Sequence, residues 1–420
     1  MNTPIQRSLL LDTVLDAYHE VGVAADNLTI YAKVARVIGI NTQDYVAKIG
    51  RAKSSRNTYH RAIRYAQQTL KEKGLVERLE RGLWGITKKG KQTLTEIDAE
   101  RHMIAFSSDL GVAVWGNALH VFGEPKAQQD DIHLCLTSPP YLGITRSYGT
   151  HHDEQAYIDF LLSVLLPIRE RMAPGANLVL NMSNDSVLKE QFGERSLYLE
   201  KLILAVGEKL DLALMDRLVW HAPDKPPKGY QVTHKRTHLT SRYEPVLWFC
   251  NDPKRCLADN RRVLSSYSPQ MQRLVNNNGE STMRRESDYQ SNTRKGGFGR
   301  DNGGSIPSNV LTFPTRCNSN RLVINAARAQ QLPVHGALYP VALAEHIISW
   351  QCPEGGLVVD PFGGYATTAW AAEKLERRWL TCELHWEYLR PALSRFIHQD
   401  GFLVNPAFTQ LDNSVLRDCA

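Results

Sequence analysis

The 420-residue chain lacks the features that mark membrane, secreted and metal-binding proteins. No stretch approaches the ~18 consecutive apolar residues that a membrane-spanning helix needs. The seven cysteines are scattered, odd in number and without a CxxC pair, which argues for reduced thiols in a cytosol and against a disulfide framework or a zinc site. The first residues, MNTPIQR, contain no apolar signal-peptide region, so export is not expected. Three histidines in the middle of the chain fit no ligand spacing, and no metal is predicted.

A stiff turn at residues 137–141 is the first motif that carries chemistry. An apolar strand pattern over 132–136 stops abruptly in the sequence TSPPY. Pro139 and Pro140 fix two φ angles near about −65° and leave their carbonyls free to accept hydrogen bonds. Ser138 and the Pro139 carbonyl can accept from the exocyclic amine of a flat base, on which Tyr141 can stack. The alternative is a tight turn that only closes the strand.

A glycine turn more than two hundred residues later is the second motif. The apolar run 357–359 predicts a buried strand that ends in the turn DPFGG, and helix formers begin at Thr367. The next predicted strand, 379–382, ends in Glu383. Glycines let a ligand approach the backbone, an acid at a strand tip accepts ribose hydroxyls, and a helix N-terminus favours an anionic group, here a carboxylate. The alternative is a plain strand–helix–strand crossover.

Together, these motifs resemble those of the DNA amino-methyltransferases, which use S-adenosylmethionine. The catalytic motif precedes the cofactor motif, as in the circularly permuted β group. Three further segments are similar to family elements: WGNAL, with Asn117 in place of the usual Asp, the Pro-Gly turn and strand at 174–181, and HGALYPVAL at 335–343. The resemblance covers residues 110–250 and 305–396. It implies an α/β, Rossmann-like methyltransferase fold: a seven-stranded mixed sheet with helices on both faces.

The resemblance also implies residue roles. The predicted catalytic residues are Ser138, Pro139, Pro140 and Tyr141. The predicted cofactor-binding residues are Asn117, Pro340, Asp360, Phe362, Gly363, Gly364, Thr367, Thr368 and Glu383. Glu383 would hold the ribose, and the glycine turn with the two threonines would hold the methionyl end. The chain departs from the family where Tyr365-Ala366 replaces the common Ser-Gly.

The first position of the catalytic motif bears on the target base. In the family, Ser at this position goes mostly with N4 of cytosine, and Asp or Asn mostly with N6 of adenine. Ser138 therefore predicts a sequence-specific, cytosine-N4 DNA methyltransferase that flips its target, with N6-adenine as the alternative. Two other functions remain as alternatives. One is a non-catalytic DNA-binding regulator, which the intact motifs disfavour, and the other is an RNA or protein methyltransferase.

The N-terminal part of the chain is strongly basic. Residues 48–91 contain thirteen Lys or Arg and three Glu. Apolar spacing predicts a helix over 58–73, and two short strands around Arg81-Gly82 predict a hairpin. This pattern resembles the winged helix of restriction-system N-terminal domains, in which Arg61, Arg64 and Lys88 would contact DNA. The alternative is a solvated basic face on a helical dimerisation domain.

Two later segments are also basic. The proline-rich segment 222–241 predicts a mobile loop in which Lys235 and Arg236, with the adjacent Arg242, contact phosphates. Segment 252–328 holds thirteen basic and six acidic residues. Its part 276–309, rich in Asn, Ser, Gly and Arg, is either a disordered linker or a target-recognition region that orders on DNA; the second is favoured. The predicted DNA contacts within it are Arg284, Arg285 and Arg294.

The predicted organisation has six parts. They are 1–95, a winged-helix-like DNA-binding domain; 96–110, a connector continuing a helix; 111–250, the catalytic half; 251–328, the recognition insert; 329–400, the cofactor-binding half; and 401–420, a C-terminal tail. Asn181 and Asp185, which follow a buried strand, either line the base pocket or cap the next helix, and the cap is favoured. The expected partners are double-stranded DNA and a cognate restriction endonuclease, for a monomer or dimer in the prokaryotic cytoplasm, nucleoid-associated when bound to DNA.

Overall fold

The structure is a computed structural model in two compact units, one formed by 1–95 with 404–420 and the other by 96–403. It describes residues 14–15, 17–18, 21, 24–37, 41–49, 54–72, 74–80, 82–87, 102–123, 131–142, 153–184, 194–279, 299–406 and 408. The residues Lys88, Asp185, Arg284, Arg285 and Arg294 lie outside these ranges, so the predictions made for them do too. Among the described helices, none combines the length and apolarity needed to cross a membrane.

Among its described residues, the N-terminal unit includes two longer helices and two small sheets. The helices are α1 (Asn27–Val37) and α2 (Thr58–Glu72), and the strands are β1 (Ala25–Asp26), β2 (Val46–Ile49), β3 (Ser54–Asn57), β4 (Val76–Glu80) and β5 (Leu83–Ile86). Strands β1, β5 and β4 form one sheet in that order, and β2 pairs with β3. The predicted helix and hairpin are thus confirmed.

Helix α2 has clear sequence determinants. The Asn57 side chain accepts the backbone N–H of His60 at 3.1 Å and caps its start. Gly74, with φ +71°, follows its last turn. Ile63 and Leu70 are buried in the core of this unit, whereas Arg61 and Arg64 are exposed. The helix therefore presents a basic face to solvent.

The larger unit is built on one mixed sheet. Its strands are β6 (His102–Ser107), β7 (Gly111–Gly116), β8 (Ile132–Thr137), β9 (Met172–Asn181), β10 (Ala213–His221), β11 (Tyr243–Cys250), β12 (Val310–Thr312), β13 (Leu357–Asp360), β14 (Arg378–Glu383) and β15 (Leu403–Val404). Their order is β12-β10-β11-β9-β8-β13-β14-β7-β6-β15. The five central strands, β9, β8, β13, β14 and β7, are parallel, and β11 runs antiparallel to both of its neighbours. The carboxyl ends of the parallel strands therefore meet at one edge.

Nine described helices accompany this sheet. They are α3 (Ala118–Gly123), α4 (Glu154–Glu170), α5 (Tyr198–Leu210), α6 (Tyr230–Thr233), α7 (Pro269–Asn276), α8 (Asn318–Ala329), α9 (Val341–Gln351), α10 (Thr367–Lys374) and α11 (Trp386–Phe396). Helices α4 and α5 bury their apolar faces against β8 and β9 in one continuous core. Helix α4 starts where Asp153 accepts the N–H of Ala156 at 2.7 Å. This core therefore packs against the central strands and fixes the positions of their carboxyl ends.

The predicted α/β methyltransferase fold is confirmed, and its sheet is larger than expected. A seven-stranded sheet was expected, and the described sheet has ten strands, with β12 at one edge and β6 and β15 at the other. The predicted helix in the connector is wrong, because His102–Ser107 forms β6, antiparallel to β7. The buried Phe106 ring lies 5.0 Å from that of Phe396, so tertiary packing draws this short apolar run into the sheet. Segment 222–241, predicted as a loop, includes the one-turn helix α6.

Candidate active site

Residues from the carboxyl ends of four neighbouring parallel strands line one cavity of about 290 Å³. Asn117 follows β7, the turn Ser138–Tyr141 follows β8, Phe362 follows β13, and Glu383 ends β14. This edge is where open α/β sheets bind ligands. The fold therefore brings two motifs that lie more than two hundred residues apart to the same space.

The glycine turn after β13 is fixed against β14. Gly363 donates its N–H to the Cys382 carbonyl at 2.8 Å, and a Cβ on Gly363 would lie 2.1 Å from Thr381 Oγ1. Gly364 has φ +51°, a left-handed conformation that glycine adopts without a steric cost. Ala366, in place of the family's glycine, also has φ +51°. The turn therefore keeps its shape despite that departure.

Glu383 is a buried carboxylate at the tip of β14. Its Oε2 accepts the backbone N–H of Gly364 at 2.7 Å, and its Oε1 accepts that of His385 at 2.9 Å. Burial raises its pKa to about 7, against the opposing effect of these two hydrogen bonds. Each oxygen retains a further lone pair, which suits a pair of vicinal hydroxyls.

Asp360 stands behind the cavity and holds the turn together. It accepts hydrogen bonds from Thr137 Oγ1 at 2.6 Å, from Thr368 Oγ1 at 2.5 Å and from the Phe362 N–H at 3.0 Å. Burial raises its pKa to about 6. Because Thr137 immediately precedes the catalytic turn, Asp360 links the catalytic and cofactor motifs directly.

Several predicted cofactor-binding residues lie outside the cavity lining. These are Pro340, Asp360, Gly363, Gly364, Thr367 and Thr368. Thr367 Oγ1 accepts from the buried Arg395 at 3.1 Å, and Tyr339 donates to Thr368. Pro340 precedes α9 as its N-cap residue. Thr368 also donates to Asp360 at 2.5 Å, so these two side chains contact each other outside the cavity lining.

The catalytic turn is tied to strands β9 and β11. The Tyr141 hydroxyl donates to Glu244 Oε2 at 2.8 Å and lies 3.2 Å from Ser138 Oγ. Asn181 Nδ2 donates to the Tyr141 oxygen at 3.0 Å and to Glu244 Oε2 at 2.7 Å. Burial, and then the charge of Glu244, raises the pKa of Tyr141 well above its ordinary value. The Asn181 side chain thus joins the catalytic cluster, and the favoured helix-cap interpretation for it is wrong.

Sequence reasoning missed part of the cavity wall. Its additional lining residues include Phe160, Val164, His335, Leu384, His385 and Tyr388. The His335 and Tyr388 rings meet edge to face at 4.6 Å. Burial lowers the pKa of His385 to about 4, and its Nδ1 has no hydrogen-bond partner among the described residues. The sequence contained one signal that His385 lines the cavity, namely its position two residues after the strand-tip acid Glu383.

The predicted DNA contacts that the structure describes fall into two groups. Arg61 and Arg64 are exposed on α2 in the N-terminal unit. Lys235, Arg236 and Arg242 are exposed between β10 and β11 in the larger unit, and Lys235 Nζ lies 5.9 Å from the centre of the Tyr230 ring. No cluster of three or more His, Cys, Asp or Glu within the described ranges is arranged to hold a metal ion.

The sheet order, the glycine turn and the strand-tip acid define the fold as that of the S-adenosylmethionine-dependent methyltransferases. A family model described as DNA methylase matches residues 132–394. The chain therefore belongs to the DNA methylase family. A second model, described as the Mrr N-terminal domain, matches residues 8–96.

Individual relatives agree with this assignment. The chain is 25% identical over 319 residues to the type II methyltransferase M.PvuII of Proteus hauseri, covering 74% of this chain and 90% of that protein. It is 23% identical over 297 residues to the DNA adenine methyltransferase YhdJ of Escherichia coli strain K12, covering 69% and 84%. The solved PvuII DNA methyltransferase (cytosine-N4-specific) superposes with a TM-score of 0.55 at 21% identity, covering 74% and 94%. That likeness shows the fold.

Proposed function

We propose that the protein is a sequence-specific DNA methyltransferase that transfers the methyl group of S-adenosylmethionine to the N4 amine of a flipped cytosine. The observation that carries the proposal is that the Ser138–Tyr141 turn and Glu383 line one cavity. When bound, S-adenosylmethionine supplies an electrophilic methyl group on a sulfonium. The similarity to a cytosine-N4-specific enzyme supports the choice of base.

The cofactor side of the cavity fits this nucleoside. The Glu383 carboxylate is oriented by two backbone N–H groups and would accept both ribose hydroxyls. Phe362 and Leu384 contribute apolar wall for the adenine ring, and the unpaired Nδ1 of His385 offers one polar contact. Asn117, at the end of β7, completes this side. Asp360, Pro340, Gly363, Gly364, Thr367 and Thr368 support it from behind.

On the target side, the catalytic turn receives a base extruded from the duplex. Unstacking that base costs a few kcal/mol, which stacking on Tyr141 partly offsets. Ser138 Oγ and the Pro139 carbonyl accept from the amine, which gives its nitrogen more sp³ character and aims its lone pair. Because Pro139 and Pro140 stiffen the backbone, these acceptors need little reorganisation during transfer. Positioning and electrostatics then account for the rate enhancement.

DNA binding on this proposal uses both units. Arg61 and Arg64 on α2, with Lys88, contact one stretch of duplex as a winged helix does. Lys235, Arg236 and Arg242 contact phosphates near the flipped base, and the insert 251–328, with Arg284, Arg285 and Arg294, reads base edges. The methylated sequence is the one that a cognate restriction endonuclease would cut, and the protein acts on DNA in the prokaryotic cytoplasm.

Methylation of adenine N6 is the second candidate, favoured by the similarity to a DNA adenine methyltransferase. The test is single-base-resolution mapping of modified bases in a methylation-free host that expresses the protein. A short recurrent sequence carrying N4-methylcytosine is the expected result. N6-methyladenine at such a sequence would replace the cytosine assignment, and unmodified DNA would contradict the proposed activity.

A further inference from the structure

A chain of hydrogen bonds leads from the catalytic turn to a carboxylate on β11. Ser138 Oγ lies 3.2 Å from the Tyr141 hydroxyl, which donates to Glu244 Oε2 at 2.8 Å. Tyr141 is 8% exposed, and the Glu244 side chain is 14% exposed. The chain therefore runs through a largely water-excluded part of the molecule, starting at a residue that lines the cavity.

The hydrogen bond from Tyr141 to Glu244 sets the direction of this chain. A carboxylate is an acceptor only, so the Tyr141 proton points to Glu244. Ser138 must then be the donor in its hydrogen bond with Tyr141, which leaves a Ser138 lone pair for an incoming amine. Asn181 Nδ2 occupies the other lone pair of the Tyr141 oxygen at 3.0 Å. The Tyr141 hydroxyl thus donates to Glu244 and accepts from both Ser138 and Asn181. Each proton in the chain therefore points towards Glu244.

Methyl transfer to an exocyclic amine requires a proton acceptor. The new N–CH₃ bond forms as the S–CH₃ bond breaks, and the nitrogen then carries one proton more than the neutral product. Glu383, the other carboxylate at the cavity, accepts from the backbone N–H groups of Gly364 and His385. Glu244 accepts directly from Tyr141 of the catalytic turn.

We propose that Glu244 is the terminal acceptor of the proton released by the target amine, through a relay of Ser138 and Tyr141. The inference rests on the proposed methyltransferase function and deepens it. The amine proton moves to Ser138 Oγ, the Ser138 proton to the Tyr141 oxygen, and the Tyr141 proton to Glu244. Serine and tyrosine end neutral, and Glu244 ends as a carboxylic acid, which balances the charge lost by the sulfonium.

A lysine side chain pairs with the Glu244 carboxylate. Lys225 lies after the end of β10, and its Nζ donates to Glu244 Oε1 at 2.6 Å. Tyr141 and the neutral Asn181 face the other oxygen. His221, at the end of β10, lies across from Tyr243 and contacts Thr312 at 3.4 Å. Lys225 is thus the cation that faces Glu244 among the described contacts, and it belongs to the basic segment proposed to touch phosphates.

The test is single-turnover methyl transfer to unmethylated plasmid DNA from a methylation-free host, with saturating S-adenosylmethionine. Glu244→Gln keeps the shape and an acceptor for Tyr141 but takes up no proton, and Tyr141→Phe keeps the ring but breaks the relay. Each is expected to slow transfer by about 10²–10⁴-fold. The double variant should be no slower than the slower single variant, because both interrupt one path. Glu354→Gln, an exposed site after α9, is the matched control and should match wild type.

One further readout separates proton acceptance from simple positioning of Tyr141. Fluorescence of 2-aminopurine at the mapped target position should be the same for wild type and E244Q without cofactor. An altered fluorescence signal in E244Q or a wild-type rate in E244Q would overturn the relay. Absence of transfer by the wild-type protein would instead contradict the methyltransferase proposal itself.

Discussion

Glu383 Oε2 accepts the backbone N–H of Gly364 at 2.7 Å, which joins the tip of β14 to the glycine turn after β13. One carboxylate therefore both shapes the turn and faces the cavity. Burial opposes its charge, whereas the N–H groups of Gly364 and His385 favour it, and the pKa is raised to about 7. Near neutral pH, this group is accordingly poised between its two protonation states.

The affinity for S-adenosylmethionine should therefore depend on pH. Ribose hydroxyls donate best to the ionised carboxylate, so binding below pH about 7 must first displace a proton, and Kd should rise by up to about tenfold per pH unit. Calorimetric titrations between pH 5.5 and 8.5 measure this change in Kd, because the range brackets the Glu383 pKa of about 7. Glu383→Gln should bind more weakly at high pH and retain only the dependence due to Asp360, whose pKa is about 6. Equal affinities in the two proteins at every pH would exclude the ribose role.

Loss of the catalytic turn's side chains should separate chemistry from cofactor binding. Tyr141→Ala removes the stacking surface, and Ser138→Ala removes one acceptor for the amine. Each should lower methyl transfer by about 10²-fold or more, because a misplaced amine no longer aligns with the methyl group. Cofactor affinity, measured by calorimetry, should stay within a factor of about two of wild type. A parallel loss of cofactor affinity in both variants would mean that the turn belongs to the cofactor site instead.

Local patterns predicted most of the elements on which this site depends. Helix α2, predicted over 58–73, and the start of α10 at Thr367 follow directly from apolar spacing and from the glycine turn. Such local patterns could not predict the tertiary contacts. Thr137 and Asp360 are 223 positions apart, and Asn181 and Glu244 are 63 apart, so their hydrogen bonds depend on strand order. Strand β6 was missed for the same reason, since a neighbouring strand edge and aromatic packing decide its conformation.

The glycine at 363 should be intolerant of any side chain. A Cβ there would lie 2.1 Å from Thr381 Oγ1, so Gly363→Ala must displace β14 from the turn. We expect the free energy of unfolding to fall by about 1–3 kcal/mol, measured by urea denaturation. Gly207→Ala on the exposed face of α5 is the matched control, because the nearest atom to its Cβ would be 3.8 Å away. It should gain about 0.5–1 kcal/mol. Similar stabilities for the two variants would show that the turn and β14 are not rigidly coupled.

The basic face of α2 should contribute sequence-independent DNA affinity. Arg61 and Arg64 are both exposed there, so replacing both with Gln removes two charges without opening the core around Ile63. If each neutralises one phosphate, the slope of log K against log salt concentration should become less negative by about 1.8, at about 0.9 per contact. Fluorescence anisotropy with a labelled duplex between 50 and 300 mM salt, a range that includes the concentration at which the Debye length is about 10 Å, measures the slope. Arg61→Lys with Arg64→Lys keeps the charges and should keep the slope. An unchanged slope in the Gln variant would place the phosphate contacts elsewhere and favour the alternative that this face is only solvated.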